Sequence, residues 1–478
     1  MQRSFVLNVA LLVFLNLLVK PFYILGVDAA VQNRVGAEEY GFYFALLNLS
    51  FLFNILLDLG ISNFATRHIA REEKIMQRQF SAMLTLRLAL IPVYFLACVL
   101  ASQLWGMQWS AVQEILLLLC LNQVFVGMIQ FMRANLTGLH LFIRDSVVSV
   151  LDRLLLIGLC SWALWDWDSF SVLDFVELQT IAYGTTMLLA LLMLLGKGAS
   201  IKIVMDRYYL KEVLEKSLPF ALLTLLMMAY TRVDSVMIER MLSNGATEAG
   251  IYAQGFRLLD AVNTMTLLFG VILLPMFSRL IHQKKDTTPL AGVAARILLP
   301  LPIMIGTIAV FHAEEILGLR YHEHVKASSG PFVFLMLSFM GMSLTHIYGT
   351  LLTAAGELRY LNQLALAGLL VNIGLNLLLI PEYGAEGAAV ATLCTQVPVS
   401  IGHLIRSHVF MGGKANVSLV IRFLILGGAL VAGGWWMDEQ LDWYVSSGII
   451  LVAAPIFTVA AGIIGVGDIR RFVRMYRS

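Results

Sequence analysis

The chain reads as a series of apolar runs joined by short polar segments, and most runs have the length of about 20 residues that a helix needs to cross hydrocarbon. In the first half they cover Phe5–Val31, Tyr40–Gly60, Ser81–Ser102, Val112–Met132, Ser146–Trp165 and Asp174–Leu195. The second half holds Ser217–Leu242, Gly250–Phe277, Leu290–Phe311, Pro331–Ala354, Tyr360–Ile380 and Ala385–Ile405. Val417–Met437 and Trp443–Val466 follow. The pattern predicts an all-α integral membrane protein of about 14 transmembrane helices. It divides into a six-helix lobe over 1–196, an amphipathic linker over 197–216, a second six-helix lobe over 217–410, and two more helices with a basic tail over 411–478.

Composition agrees. Of 478 residues, 59% are hydrophobic and 13% charged, about half the charged share of a globular protein. No segment is polar enough to be a separate soluble domain. The first run is followed by no small-x-small cleavage site and reads as a retained helix. Cys98, Cys120, Cys160 and Cys394 lie in apolar runs without metal or redox spacing, and read as small core residues.

Charge sets the expected orientation. Basic residues gather in alternate joints: Arg67, Arg71, Lys74 and Arg78; Lys197 through Lys216; Arg279, Lys284 and Lys285; and Arg470, Arg471, Arg474 and Arg477. The other joints are acidic or neutral, with Asp166, Asp168, Glu314, Glu315, Asp438, Glu439 and Asp442, and tryptophans gather beside them. By the positive-inside rule both termini are expected in the cytoplasm.

The two halves echo each other. Gly36 to Tyr43 reads GAEEYGFY and Gly245 to Tyr252 reads GATEAGIY, both G-A-x-E-x-G-x-Y. Thr66-Arg67-His68-Ile69 is matched by Ser278-Arg279-Leu280-Ile281, and Ala134-Asn135-Leu136-Thr137-Gly138 by Leu352-Thr353-Ala354-Ala355-Gly356. Each echo pairs a span with the sixth span after it, so the repeats are expected to be parallel.

Ionisable groups inside spans cost about 2.5–3.5 kcal/mol or more and need a partner, water or a task. Lys20 lies well into the first run, ahead of Pro21. Arg87 is close enough to the inner surface to snorkel. Arg232 is far from either end of its helix, and Asp234 beside it points elsewhere. Arg257 and Asp260 share a helix face and are placed to neutralise each other. Asp58, and Asp152 with Arg153, sit near the inner surface and read as structural. A cationic cavity between lobes suits an anionic substrate.

No Walker A motif, H-E-x-x-H or G-x-S-x-G occurs. His312, Glu314, Glu315, His322, Glu323 and His324 cluster after the ninth run and read as a solvated polar loop rather than a metal site.

The stretch LVKPFYILGVDAAVQNRVGAEEYGFYFALLNLSFLFNILLDLGISNFATRHIA, the segment Gly138 to Asp152, and YTRVDSVMIERM followed by GIYAQGFRLLDAV carry a resemblance. The chain resembles a Wzx-type polysaccharide or O-antigen flippase of the multidrug/oligosaccharidyl-lipid/polysaccharide exporter superfamily, over essentially its full length. The resemblance implies a MATE-like fold of two lobes in the bacterial inner membrane. It implies transfer of an undecaprenyl-diphosphate-linked oligosaccharide from the cytoplasmic to the periplasmic leaflet, with no enzymatic step.

It further implies a cationic cavity, to which Lys20, Arg87, Arg232 and Arg257 are assigned by their place in the spans. Asp58, Asp234 and Asp260 are the candidates for ion coupling. No cofactor, metal or nucleic acid is expected. The expected partners are the lipid-linked oligosaccharide, membrane lipid, and the polysaccharide polymerase with its chain-length machinery. The energy source is expected in a Na+ or H+ gradient or the membrane potential. The alternatives are a multidrug or lipid II exporter of the same superfamily and, from another class, a membrane-embedded glycosyltransferase or ligase.

Overall fold

The computed structural model describes residues 14–59, 76–139, 141–196, 207–412, 417–465 and 467. Arg67, Arg71, Lys74, the stretch 197–206 and the tail arginines lie outside the described residues, as does the echo at Thr66 to Ile69. All described regular structure is helical. Twelve described helices are long and apolar enough to cross a membrane.

The chain forms two compact units, Met1–Gly250 and Ile251–Ser478. The first holds α1 (Phe14–Val35), α2 (Ala37–Leu52), α3 (Met76–Leu104), α4 (Trp109–Gly138), α5 (Phe142–Asp166), α6 (Val172–Leu195), α7 (Arg207–Met241) and the start of α8 (Gly245–His282). The rest of α8 belongs to the second unit, with α9 (Thr288–Gly318), α10 (Val325–Ala355), α11 (Leu358–Met411), α12 (Val417–Asp438) and α13 (Trp443–Ala460).

Two helices explain how twelve long helices accommodate the expected spans. At Gly384, α11 turns in a conformation (φ 55°, ψ −131°) that suits glycine, so its 54 residues make two arms. These arms are the expected runs Tyr360–Ile380 and Ala385–Ile405. Helix α2 has only 16 residues and is extended by a 3₁₀ turn at Asn54–Leu57. The expected linker is not a separate helix in its described part, because residues 207–216 run straight into α7.

Local chemistry fixes the helix ends. Ser171 and Asp174 cap α6 reciprocally: the Ser171 hydroxyl accepts from the Asp174 backbone N–H, and the Ser171 N–H donates to Asp174 Oδ2 at 2.8 Å. Glu39 Oε1 accepts from the Val172 N–H at 2.8 Å. Arg34 donates to the carbonyls of Trp167 and Asp168 at the end of α5. Arg240, at the end of α7, donates to the carbonyls of Trp105 and Gly106 after α3, at 2.8 and 3.1 Å. Cationic side chains thus satisfy carbonyls just past two helix ends.

In the second unit, Leu273 and Phe277 of α8 pack with Leu298 of α9 and Leu351 of α10. A separate cluster of Ile308, Leu426, Leu430, Ile450 and Ala454 seats α12 and α13 on α9. His312 corrects the sequence reading. Helix α9 continues to Gly318, and His312 is buried in it at a kink (φ −130°, ψ 36°), not in a solvated loop. Its Nε2 hydrogen-bonds the Ser446 hydroxyl of α13, and its Nδ1 stands 3.8 Å from Asp438 Oδ1 of α12. Cys394 also departs from expectation. It is exposed, whereas Cys98, Cys120 and Cys160 are buried; against lipid a small apolar side chain loses little by facing outward.

Candidate functional site

Helix α1 carries Lys20 just before Pro21. Proline has no N–H to give to the helix, and the backbone loosens into a π-helical stretch at Tyr23–Asp28. Such stretches re-aim side chains and are frequent at functional sites. Here Tyr23 is buried and Lys20 partly so. Lys20 lies in electrostatic range of Arg153, Arg133 and Asp152. It makes no hydrogen bond or ion pair among the described residues.

The arginines around it are held firmly. Arg153 of α5 has its guanidinium carbon 4.9 Å from the Tyr23 ring centre and 5.4 Å from that of Tyr183 on α6. It also donates to the Tyr183 hydroxyl, and its Nε stands 4.0 Å from Asp152 Oδ2. Arg133, near the end of α4, donates from Nε to Asp145 Oδ1 at 2.7 Å. Asn16 Nδ2 donates to Ser149 Oγ at 2.9 Å and ties α1 to α5 beside the cluster. Arg133 of α4 and Arg153 of α5 thus both lie in electrostatic range of Lys20 on α1. Arg133 and Arg153 have carboxylate neighbours in Asp145 and Asp152; Lys20 is left as a charge to offer an anion.

The other assigned residues fall elsewhere. Arg87 of α3 is 2% exposed and forms an ion pair with Asp58, just past the end of α2. Its NH1 donates to the Gly127 carbonyl of α4 at 2.8 Å, and its guanidinium lies 4.9 Å from the Phe131 ring centre. These contacts make it an internal pin joining α2, α3 and α4. Arg232 of α7 donates to Asn48 Oδ1 at 3.3 Å and lies 5.3 Å from the Phe51 ring centre, so its charge sits on α2. Asp234 is buried. In the second unit, Arg257 NH1 stands 4.0 Å from Asp260 Oδ2 on the same face of α8.

The structure thus brings Lys20 together with Arg133 and Arg153, and Arg87 together with Asp58. Arg133 had drawn no attention in the sequence, and Arg153 had read as a structural partner of Asp152. Their signal is positional: Arg133 directly follows the fourth expected span, and Arg153 lies early in the fifth. Among the described residues no group of three or more His, Cys, Asp or Glu side chains is placed to hold a metal ion.

Solved structures with this arrangement of helices are membrane transporters. The lipid II flippase MurJ in its inward closed conformation is 13% identical, with a TM-score of 0.66 over 95% of this chain and 97% of that one. An inward-facing multidrug resistance MATE family transporter of the MOP superfamily is 17% identical, with a TM-score of 0.59 over 82% and 94%. The Vibrio cholerae MATE transporter VcmN is 12% identical, with a TM-score of 0.61 over 87% and 98%. At such identities the likeness speaks for the fold, which is that of MOP superfamily transporters. The family model for polysaccharide biosynthesis proteins matches residues 5–281. That is more than half of the chain, and the chain belongs to this family. None of the curated proteins matches it.

Proposed function

We propose that this multi-pass protein is a flippase carrying an undecaprenyl-diphosphate-linked oligosaccharide from the cytoplasmic to the periplasmic leaflet of a bacterial inner membrane, for O-antigen, capsule or exopolysaccharide synthesis. The observation that carries the reading is the ammonium of Lys20, without an ion-pair partner among the described residues, beside Arg133 and Arg153 in an apolar unit. Family membership supplies the link to polysaccharide. A lipid II flippase of similar fold supports the mode of action.

The physics fits that cargo. A diphosphate and a hydrated sugar cannot enter hydrocarbon unaided, since each unpaired polar group costs several kcal/mol. Two steady arginines and one available lysine offer forked and point-like donors to phosphate oxygens, while the polyprenyl tail stays in the bilayer. Lys20 with Arg133 and Arg153 receives the diphosphate; Arg232 in the same unit and Arg257 in the second unit are further cations for the cargo. Arg87, paired with Asp58, serves the scaffold. The cycle is one of alternating access, with both termini in the cytoplasm. The cycle is driven by a Na+ or H+ gradient or the membrane potential, with Asp234 and Asp260 as the remaining coupling candidates. The polymerase and chain-length machinery consume the product.

Deleting the gene in its host tests this reading. Lipid-linked oligosaccharide should accumulate in the cytoplasmic leaflet and surface polysaccharide should disappear, with both effects reversed by the wild-type gene. Unchanged surface polysaccharide in the deletion strain would end the reading.

A further inference from the structure

Within the second unit, α10 widens into a π-helical stretch at Thr345–Gly349 that contains no proline. The stretch aims neighbouring side chains at two different helices. Thr345 Oγ1 stands 3.3 Å from His403 Nδ1 of α11. His346, next in the chain, turns to α8, where its Nε2 meets Asn263 Oδ1 at 3.0 Å. An amide oxygen only accepts, so Nε2 carries the ring hydrogen and Nδ1 is left as the basic nitrogen. Asn263 Oδ1 also accepts from the Thr266 hydroxyl at 3.0 Å, which steadies the amide. Nδ1 makes no hydrogen bond among the described residues.

Two turns along α8 from Asn263, Gly270 faces the other side of the ring. A Cβ built on it would lie 3.5 Å from Thr350 Oγ1, 3.7 Å from the His346 carbonyl oxygen and 3.8 Å from His346 Nδ1. Three polar atoms of α10 thus converge on the space that a glycine leaves. Thr350 gives its hydroxyl hydrogen to the His346 carbonyl at 2.6 Å, so lone pairs of that hydroxyl remain to receive a donor.

Resting on the flippase reading above, we propose that His346 is a proton-binding site, and that the ion coupled to transport is H+ taken up at its Nδ1. The proton arrives on water; the Nδ1 lone pair takes it, and the imidazolium then carries hydrogen on both nitrogens. Release reverses the step. Histidine is the side chain whose ordinary titration falls near neutral pH, and ionisable groups inside spans mark proton relays. A hard cation wants a shell of about six oxygens; this space is bordered by two oxygens and a nitrogen. The ionisable groups of the helices packed around it include Arg257 and Asp260 of α8, which stand against each other, and Arg296 of α9. They also include Tyr348 of α10, His403 of α11, and Arg406 of α11 with its partner Glu357. None acts electrostatically on His346 among the described residues. The site is therefore separate from Asp234 and Asp260.

Two measurements on the full-length protein test the site. In detergent, ring 15N signals of histidine-labelled protein, with His346 assigned by loss in His346→Gln, are followed from about pH 4 to 9, a range that covers the usual excursions of an imidazole. His346 should hold hydrogen on Nε2 at high pH and gain it on Nδ1 as pH falls. In liposomes containing an undecaprenyl-diphosphate-linked oligosaccharide, a gradient of about one pH unit should shift the leaflet distribution by up to about tenfold if one proton moves per lipid. An equal Na+ gradient should leave it unchanged. His346→Gln should lose the pH-driven shift. Gly270→Ala should weaken it severalfold, because its methyl fills the space at ordinary contact distances without displacing the helices. An Nδ1 signal that does not change with pH, a wild-type distribution that follows Na+ instead of H+, or a His346→Gln protein that still follows the pH gradient would overturn the proton site. Should wild-type protein move no lipid under any condition, the flippase reading falls, and the titration still decides whether His346 binds a proton.

Discussion

Arg153 lies with its guanidinium carbon 4.9 Å from the ring centre of Tyr23 and donates to the hydroxyl of Tyr183, so a cation of α5 is clamped by rings from α1 and α6. The clamp spans three helices and presents a fixed charge in electrostatic range of the Lys20 ammonium. A donor already held in place loses less freedom when it binds. Arg153→Lys keeps the charge but gives up the planar fork and the stacking. The variant should insert normally and lose transport by several-fold to about thirtyfold, given that each cation–π contact contributes about 0.5–2 kcal/mol. Tyr183→Phe should be milder, since it keeps a ring and removes only the hydroxyl. Surface polysaccharide quantified against protein level checks both.

Lys20 should tolerate arginine and no neutral residue. Lys20→Ala removes the one cation of the cluster that has no ion-pair partner among the described residues, while Lys20→Arg restores charge at the same place. We expect at least a tenfold fall in surface polysaccharide for alanine, the size of effect from losing a charge-assisted hydrogen bond of about 1.5–3 kcal/mol, and near-normal levels for arginine. Equal loss in both variants would point to packing instead of charge.

Arg87 should behave as a stability residue. Arg87→Ala leaves Asp58, itself partly exposed, without its guanidinium partner, a loss below the roughly 3–5 kcal/mol of a fully buried pair. Thermal unfolding of purified protein in detergent should show a clear drop. Combining Arg87→Met with Asp58→Asn should recover most of it, because no uncompensated charge then remains. A double variant as unstable as Arg87→Ala would mean that the Gly127 carbonyl and Phe131 ring hold the helices instead.

His312 and Ser446 should act as a joint between α9 and the C-terminal helix pair. Ser446→Ala leaves a buried imidazole nitrogen without its partner, a loss of about 1–3 kcal/mol. The expected result is lower thermal stability and faster proteolysis near the joint between α12 and α13, with the Lys20 cluster unaffected.

The helices and their order were legible because lipid demands long apolar runs, and few other patterns meet that demand. Gly384 was legible as a turn between two runs for the same reason. The side-chain partners were less so. Asp58 and Arg87 each stood out as charges in a span, but 29 positions of sequence and two separate helices hid their pairing. Arg133 was hidden because it follows the fourth expected span and so does not stand out as a charge inside one; only the folded chain sets it in electrostatic range of Lys20. His312 was misplaced because Glu314 and Glu315 suggested that the helix had ended, when the exposed face of α9 simply turns polar at that point.

The most direct measurement is flipping itself. Purified protein is reconstituted into liposomes containing an undecaprenyl-diphosphate-linked oligosaccharide, and the fraction of sugar exposed to an impermeant lectin or glycosidase is followed in time. The wild type should move the lipid between leaflets, and Lys20→Ala should fall to the rate of empty liposomes while Lys20→Arg stays active. Wild-type protein that moves no more lipid than empty liposomes, or a Lys20→Ala variant that keeps the wild-type rate, would contradict the account.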